Sequence, residues 1–520
     1  MFSGKNVWIL LCFFFLIALF IRFLYFPGNI YFGYDQARDA FATEEILHGH
    51  LKIIGPTTSF EGLNHGVLYY YLYAPFYFFG KGDPAFIAAF LRVLNSACVF
   101  IIFLLSTVLF NKYVGLISAG IFAISFEQTQ FAMYLNHPSF AVASVLFMYL
   151  GLSYFIFHKK SLGLIIASLG LSLSIQFEFL LTYLIPVFLL ILICFRSFFK
   201  KASKTAIFIS AFSFIFGIST YLIAEIKYGF RSFGYLLQLF SQNSDKSILK
   251  IANFYLFEIG QMIRFNLIGS LPLKILTGLI LLLCFAKLLK SKFKKQIIFL
   301  GLWFFSVIII YIVTGGADTT SGIIQYHPNL GISLSLIIFV SFLIYTLAQK
   351  NKIVAFLFIL FISAGNISLI KEYNPSGSIA EINAQSYMLL SDEKKVVDFI
   401  YQDTKGKPFA LKGITMPFFI NTTWSYLFSW YGLSRYGYTP VWGGKNALGY
   451  PNNLIVENAQ DKLPDRRYLI TEPLRGIPTF LIDDYLREES YFTDIEKEVN
   501  IGKFKVQIRN RKYAKINSRI

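Results

Sequence analysis

The run Tyr34-Asp35-Gln36-Ala37-Arg38-Asp39 sets two carboxylates and a guanidinium side by side, just beyond the first apolar stretch of the chain. Asp35 has the makings of a general base, a carboxylate that removes a proton from an incoming nucleophile. Asp39, four positions on, shares its helical face and can tune that base or help bind a divalent cation. Arg38 can meet an anionic donor, and a plain Asp35–Arg38 helix pair is the competing explanation. The spacing of Ala37, Ala40, Phe41 and Leu47 predicts a surface helix from Asp35 towards His50, with Gly49 as its stop. Asp35 would then also be suited to capping free amides at the positive end of that helix.

The elements that position this run are hydrophobic. Of 520 residues, 56% are hydrophobic and only 15% charged, with 59 Phe and 32 Tyr, which excludes an ordinary soluble enzyme. Apolar runs of the length needed to cross a bilayer recur along the first 370 positions. Eleven are expected, at 7–26, 84–110, 114–131, 138–157, 161–178, 180–195, 205–224, 271–289, 296–313, 323–347 and 353–370. A β-barrel would show short alternating segments instead, so the expected class is an α-helical polytopic membrane protein. The first span lacks a small-residue cleavage site after Arg22 and reads as a retained anchor. Its Cys12 and the other three cysteines, Cys98, Cys194 and Cys284, all fall in spans and have no metal or disulfide spacing.

The net charge of +18 follows topology rather than nucleic acid. Lys112, Lys159-Lys160, Arg196 to Lys204, Lys287 to Lys295, and Lys350 with Lys352 fall in alternate short connections that hold no Asp or Glu. That is the positive-inside pattern. It places the amino terminus in the cytoplasm and the Asp35 loop outside the plasma membrane. Two longer outer connections are expected, at 27–83 and 225–270. Residues 1–370 form the membrane module, and 371–520 form a small extracytoplasmic α/β domain with helices near 392–403, 423–431 and 480–488 and strands near 409–414, 467–471 and 499–509.

Ionisable residues inside or beside the spans are expensive and mark function by default. Arg92, Glu127, Glu178 and Glu225 are expected near the outer ends of their spans, and the outer connections add Asp39, His65, Arg264, Asp318 and His327. Snorkelling to water is the competing explanation for each alone; together they suggest a polar cavity open to the outside. The run Tyr69 to Tyr73 is suited to stacking on sugar, with an interfacial aromatic belt as the alternative.

The order of several features carries a resemblance. After Asp35 come Gly55-Pro56-Thr57-Thr58, Glu61-Gly62-Leu63-Asn64-His65-Gly66, the segment Val67 to Phe76, then Leu91-Arg92-Val93-Leu94-Asn95 and Tyr134-Leu135-Asn136-His137-Pro138-Ser139. This set resembles the GT-C glycosyltransferases of the protein O-mannosyltransferase and aminoarabinose transferase superfamily. The resemblance implies transfer of a sugar from a polyprenyl-phosphate donor to a lipid, glycan or protein acceptor on the outer face. It implies Asp35 as catalytic base with Asp39 beside it. Donor or phosphate binding would fall to Arg38, His65, Arg264 and His327. Tyr34, Glu61, Tyr69, Tyr70, Arg92 and Glu178 would line the pocket, with no cofactor beyond a divalent cation. Family members commonly carry Glu where this chain has Gln36, and often Lys where it has Asn64-His65. A lipid-linked glycan polymerase and a flippase are the rival classes; a transporter should show repeats and midplane polar groups, which are not evident.

Overall fold

The computed structural model describes residues 4–58, 62–196, 202–235, 247–270, 272–314, 327–379, 385–444, 449–474 and 476–512. The chain divides into two compact units. One comprises Met1–Tyr25, Gly49–Phe76 and Phe86–Ala380; the other comprises Phe26–His48, Tyr77–Ala85 and Glu381–Ile520.

The first unit is helical. Each of the eleven apolar segments carries helix, from Gly4–Phe23 to Lys352–Tyr373. Among the described residues, five helices are long and apolar enough to cross a membrane, or seven if each of two bent pairs is one span. Lys352–Tyr373 exposes Phe356, Leu357, Phe358, Leu360 and Phe361 along its length. A face so apolar is stable against lipid and unfavourable against water.

Some expected spans are broken, for local reasons. The 114–131 segment is two helices, Lys112–Ile124 and Phe126–Met133, because the Ser125 hydroxyl accepts from the Gln128 amide and starts a new helix. The 205–224 segment bends by 57° between Lys204–Gly217 and Ser219–Lys227. The expected 225–270 outer connection is not simply a loop: it holds the apolar helix Ile248–Ile263, which continues as a π-turn over Arg264–Ile268.

Two arginines are buried in this unit. Arg22 donates to the Asn95 carboxamide oxygen at 2.7 Å and to the Ala123 carbonyl at 3.0 Å. Arg92 donates to the carbonyls of Arg22 (3.1 Å) and Ala88 (2.9 Å). Carbonyl oxygens thus accept from the Arg92 guanidinium inside the helix packing.

The second unit is built on a six-stranded sheet in the order β3-β2-β1-β4-β6-β5. Its strands are β1 (Ala410–Ile414), β2 (Val441–Gly443), β3 (Ile455–Glu457), β4 (Arg466–Thr471), β5 (Thr493–Ile501) and β6 (Phe504–Arg511). The first four are parallel and the last two form an antiparallel hairpin on β4. Fully buried β1 reads as a continuous apolar run except for Lys412, whose ammonium pairs with Glu489. Helices Leu390–Thr404 and Thr479–Phe492 accompany the sheet.

Phe26–His48 belongs to this second unit, so the division differs from a cut near residue 370. Backbone pairing is the reason. The Phe32 amide donates to the Met388 carbonyl and the Leu390 amide to the Ile30 carbonyl, both at 2.9 Å. Beyond that pairing, Phe41 packs edge-on against Tyr426 with centroids 5.3 Å apart.

Candidate functional site

The expected helix around Asp35 forms over Tyr34–Leu47. Its start is completed by Gln36, whose side-chain oxygen accepts from the Gly33 amide at 3.0 Å. Gln36, where the resembling family commonly has an acid, therefore works as a cap, and Asp35 turns to Arg38 instead. The Arg38 guanidinium bridges the two acids: one nitrogen lies 2.5 Å from Asp35 Oδ1, and two others donate to Asp39 Oδ1 at 2.8 and 2.9 Å.

The three side chains differ in exposure. Asp35 is 44% exposed, Arg38 19% and Asp39 1%. Asp35 is reachable by a substrate, whereas Asp39 is buried and anchors Arg38. Tyr34 closes the group: Arg38 lies over its ring at 5.8 Å, and Tyr450 packs edge-on at 5.9 Å. Burial pushes the Tyr34 phenol up to about 12, so its hydroxyl stays neutral.

A second cluster lies in the helical unit. Glu178, fully buried, meets three histidines: His65 Nδ1 at 3.5 Å, His137 Nδ1 at 3.8 Å and His327 Nδ1 at 2.6 Å. His137 Nδ1 also lies 2.5 Å from the Phe177 carbonyl, and His327 Nε2 lies 3.0 Å from the Tyr134 hydroxyl. Close backbone approach holds the His65 loop in place. A Cβ on Gly66 would collide with Gln176, and one on Gly55 would collide with the carbonyls of His65 and Gly66.

His65, His137 and Glu178 present ligand atoms within 4.8 Å of one another, and no other such group occurs among the described residues. Two imidazoles and one carboxylate match the donor set of a borderline ion such as Zn²⁺ better than the all-oxygen sets of Ca²⁺ or Mg²⁺. His65 also borders a cavity of about 680 Å³ lined in part by Asn64, Tyr221, Glu225 and Arg231.

His65, His327 and Glu178 are thus brought together as a set. His137 had not been singled out, although it stands directly before the helix Pro138–His158, where a chain entering a helix exposes polar groups. Tyr69 and Tyr70 are buried, with Tyr69 5.3 Å from the His137 ring, so they form no aromatic belt. Arg264 sits apart, over the Phe265 ring and donating to the Gly269 carbonyl at 3.4 Å. Glu127 accepts from Asn266 at 2.9 Å and from Ser333. Glu61 and Asp318 lie outside the described residues.

No family model and no curated protein matches the sequence. Solved structures do. ArnT from Cupriavidus metallidurans bound to undecaprenyl phosphate superposes with a TM-score of 0.62 at 8% identity, covering 98% of each chain. The apo form of that protein gives 0.60 at the same identity and coverage. The oligosaccharyltransferase of Archaeoglobus fulgidus gives 0.49 at 12% identity, covering 81% of this chain and 63% of that one. Over nearly its whole length the chain therefore has the fold of ArnT.

Proposed function

We propose that the protein is a membrane glycosyltransferase that moves a sugar from a polyprenyl-phosphate carrier to a hydroxyl acceptor on the outer face, with Asp35 as general base. The carrying observation is the half-exposed Asp35 carboxylate, fixed by Arg38 at the start of a capped helix. In the reaction the acceptor oxygen bonds to the anomeric carbon while the bond from that carbon to the phosphate oxygen breaks. The electron pair leaves with the lipid phosphate, and Asp35 takes the acceptor proton. A phosphate competes for the Arg38 guanidinium, which frees the Asp35 carboxylate as the leaving group is neutralised. Asp39 keeps Arg38 in place from below.

The donor class is supported by the ArnT structure, which carries undecaprenyl phosphate. A nucleotide-sugar enzyme would need a cytosolic nucleotide-binding domain. The short basic connections read as cytoplasmic leave no room for one. His65, His137 and Glu178 would hold a divalent ion, which would supply local positive charge.

The test uses purified protein in sugar-free lipid nanodiscs with two labelled donors, a polyprenyl-phosphate sugar and a nucleotide sugar. Consumption of the lipid donor alone is expected. Consumption of the nucleotide donor in the complete absence of polyprenyl phosphate overturns the reading.

A further inference from the structure

Tyr450 is large, aromatic and 40% exposed, yet it is not on a loose loop. The residues that follow it are tied to the helix Thr422–Leu427. Thr422 donates to the Pro451 carbonyl at 3.0 Å, Asn421 to the Asn452 side chain at 3.1 Å, and the Asn453 amide to Ser425 at 2.7 Å. Within the same unit its ring meets the Tyr34 ring edge-to-face, and the Tyr34 ring in turn carries Arg38. Arg38 in turn holds Asp35. An ion pair, a half-buried phenol and an open aromatic ring thus follow one another without a break.

Such a series suits one kind of ligand. A pyranose presents an apolar C–H face, which rests on the electron-rich face of an aromatic ring, and a rim of hydroxyls that needs donors and acceptors. A lipid acceptor would need an extended apolar wall, but what adjoins the two rings here is the Asn452 carboxamide, two positions beyond Tyr450, and the charged trio beside Tyr34. A peptide hydroxyl would leave the exposed ring unused.

We infer that Tyr450 and Tyr34 form an aromatic shelf that seats a pyranose ring of the acceptor beside Asp35, so that the acceptor is a glycan. The inference rests on the transferase reading above and goes beyond it by naming the acceptor class. Tyr450 acts as a specificity residue, holding the sugar that presents its hydroxyl to Asp35.

The test is saturation-transfer NMR on the full-length protein in sugar-free nanodiscs, with maltotriose, chitotriose and a serine/threonine peptide as probes. Wild type should bind at least one oligosaccharide and not the peptide. Tyr450→Phe should keep that binding and Tyr450→Ala should weaken it by about tenfold, the scale of one aromatic contact. Tyr491→Ala, a substitution of an exposed tyrosine in the same unit, controls for general damage. Equal binding by wild type and Tyr450→Ala, binding of the peptide instead, or no oligosaccharide binding by wild type would each overturn the shelf. Consumption of the polyprenyl-phosphate donor, followed in the same samples, separates the two claims. A donor that is consumed while the oligosaccharide arm fails removes the shelf and leaves the transferase.

Discussion

The Asp35 cluster draws its charged groups from one helical turn, whereas the Glu178 cluster gathers histidines from as far as 149 residues away. The first needs only a helix start, and its acid stays half in water. The second exists only once several segments have packed, with Gly55 and Gly66 allowing a close approach that any side chain would block. The Asp35 end of the first can be altered without disturbing the fold, because a half-exposed carboxylate contributes little to stability. A cluster of the second kind couples composition to folding, since a buried carboxylate among imidazoles is costly to leave unpaired.

The largest expected effect tests that separation at its exposed end. Asp35→Asn should fold and insert as wild type, with turnover lowered roughly 100- to 10,000-fold, the usual cost of losing a general base. Initial rates with a labelled lipid donor, read beside thermal unfolding, check it. A lowered melting temperature with undiminished rates would make Asp35 a structural helix residue and remove the contrast.

At the buried end, Glu178→Gln preserves shape but removes the charge that faces His65, His137 and His327. Purified wild type should retain a transition-metal ion, and the variant should lose about tenfold or more of that content, as metal sites do when a ligand or its support is altered. Elemental analysis of both proteins after dialysis decides it. Equal content would place the ion elsewhere, and a metal-free wild type would leave the histidines as a purely hydrogen-bonded set.

What could be read beforehand follows the same divide. Hydrophobic run length depends on local composition, so helix in all eleven apolar segments was legible, and so was the helix at Asp35. The breaks at Ser125 and Ile218 were not, because an apolar run looks alike whether straight or bent. In the tail, β1 and β4 were legible as short, mostly apolar runs, while β2 and β3, at three residues each, are too short for any periodicity. The pairing of Ile30 and Phe32 with Met388 and Leu390 joins segments far apart in the chain, and no local pattern announces it. At the site, Asp35, Arg38 and Asp39 were visible as a trio. His65, Glu178 and His327 were visible as members of a larger polar set but not as mutual contacts, and His137 was hidden inside a helix-start motif.

Glu472 offers a third arrangement and the smallest expected effect: a buried acid in the same unit as Asp35, served by neutral donors rather than a guanidinium. Its carboxylate accepts from the Gln385 side chain and the Met416 amide at 2.7 Å and from the Trp424 indole at 2.9 Å. Burial nevertheless raises it to about 7, with those hydrogen bonds pulling the other way. Glu393, also buried and facing it, is raised well above the usual carboxylate range by burial and then by the charge of Glu472. A raised carboxylate holds its proton in the folded state after the unfolded chain has released its own. Stability from Glu472 is therefore full below about pH 4.5 and is lost as pH rises through 7, by about 3 kcal/mol at most. Unfolding of the full-length protein in nanodiscs, followed by tryptophan fluorescence at pH 5 and pH 8, should show the lower midpoint at pH 8. Glu472→Gln should reduce that difference, and Glu393→Gln with Glu472→Gln should nearly abolish it. A variant pair that keeps the wild-type pH slope would move the titration to another group.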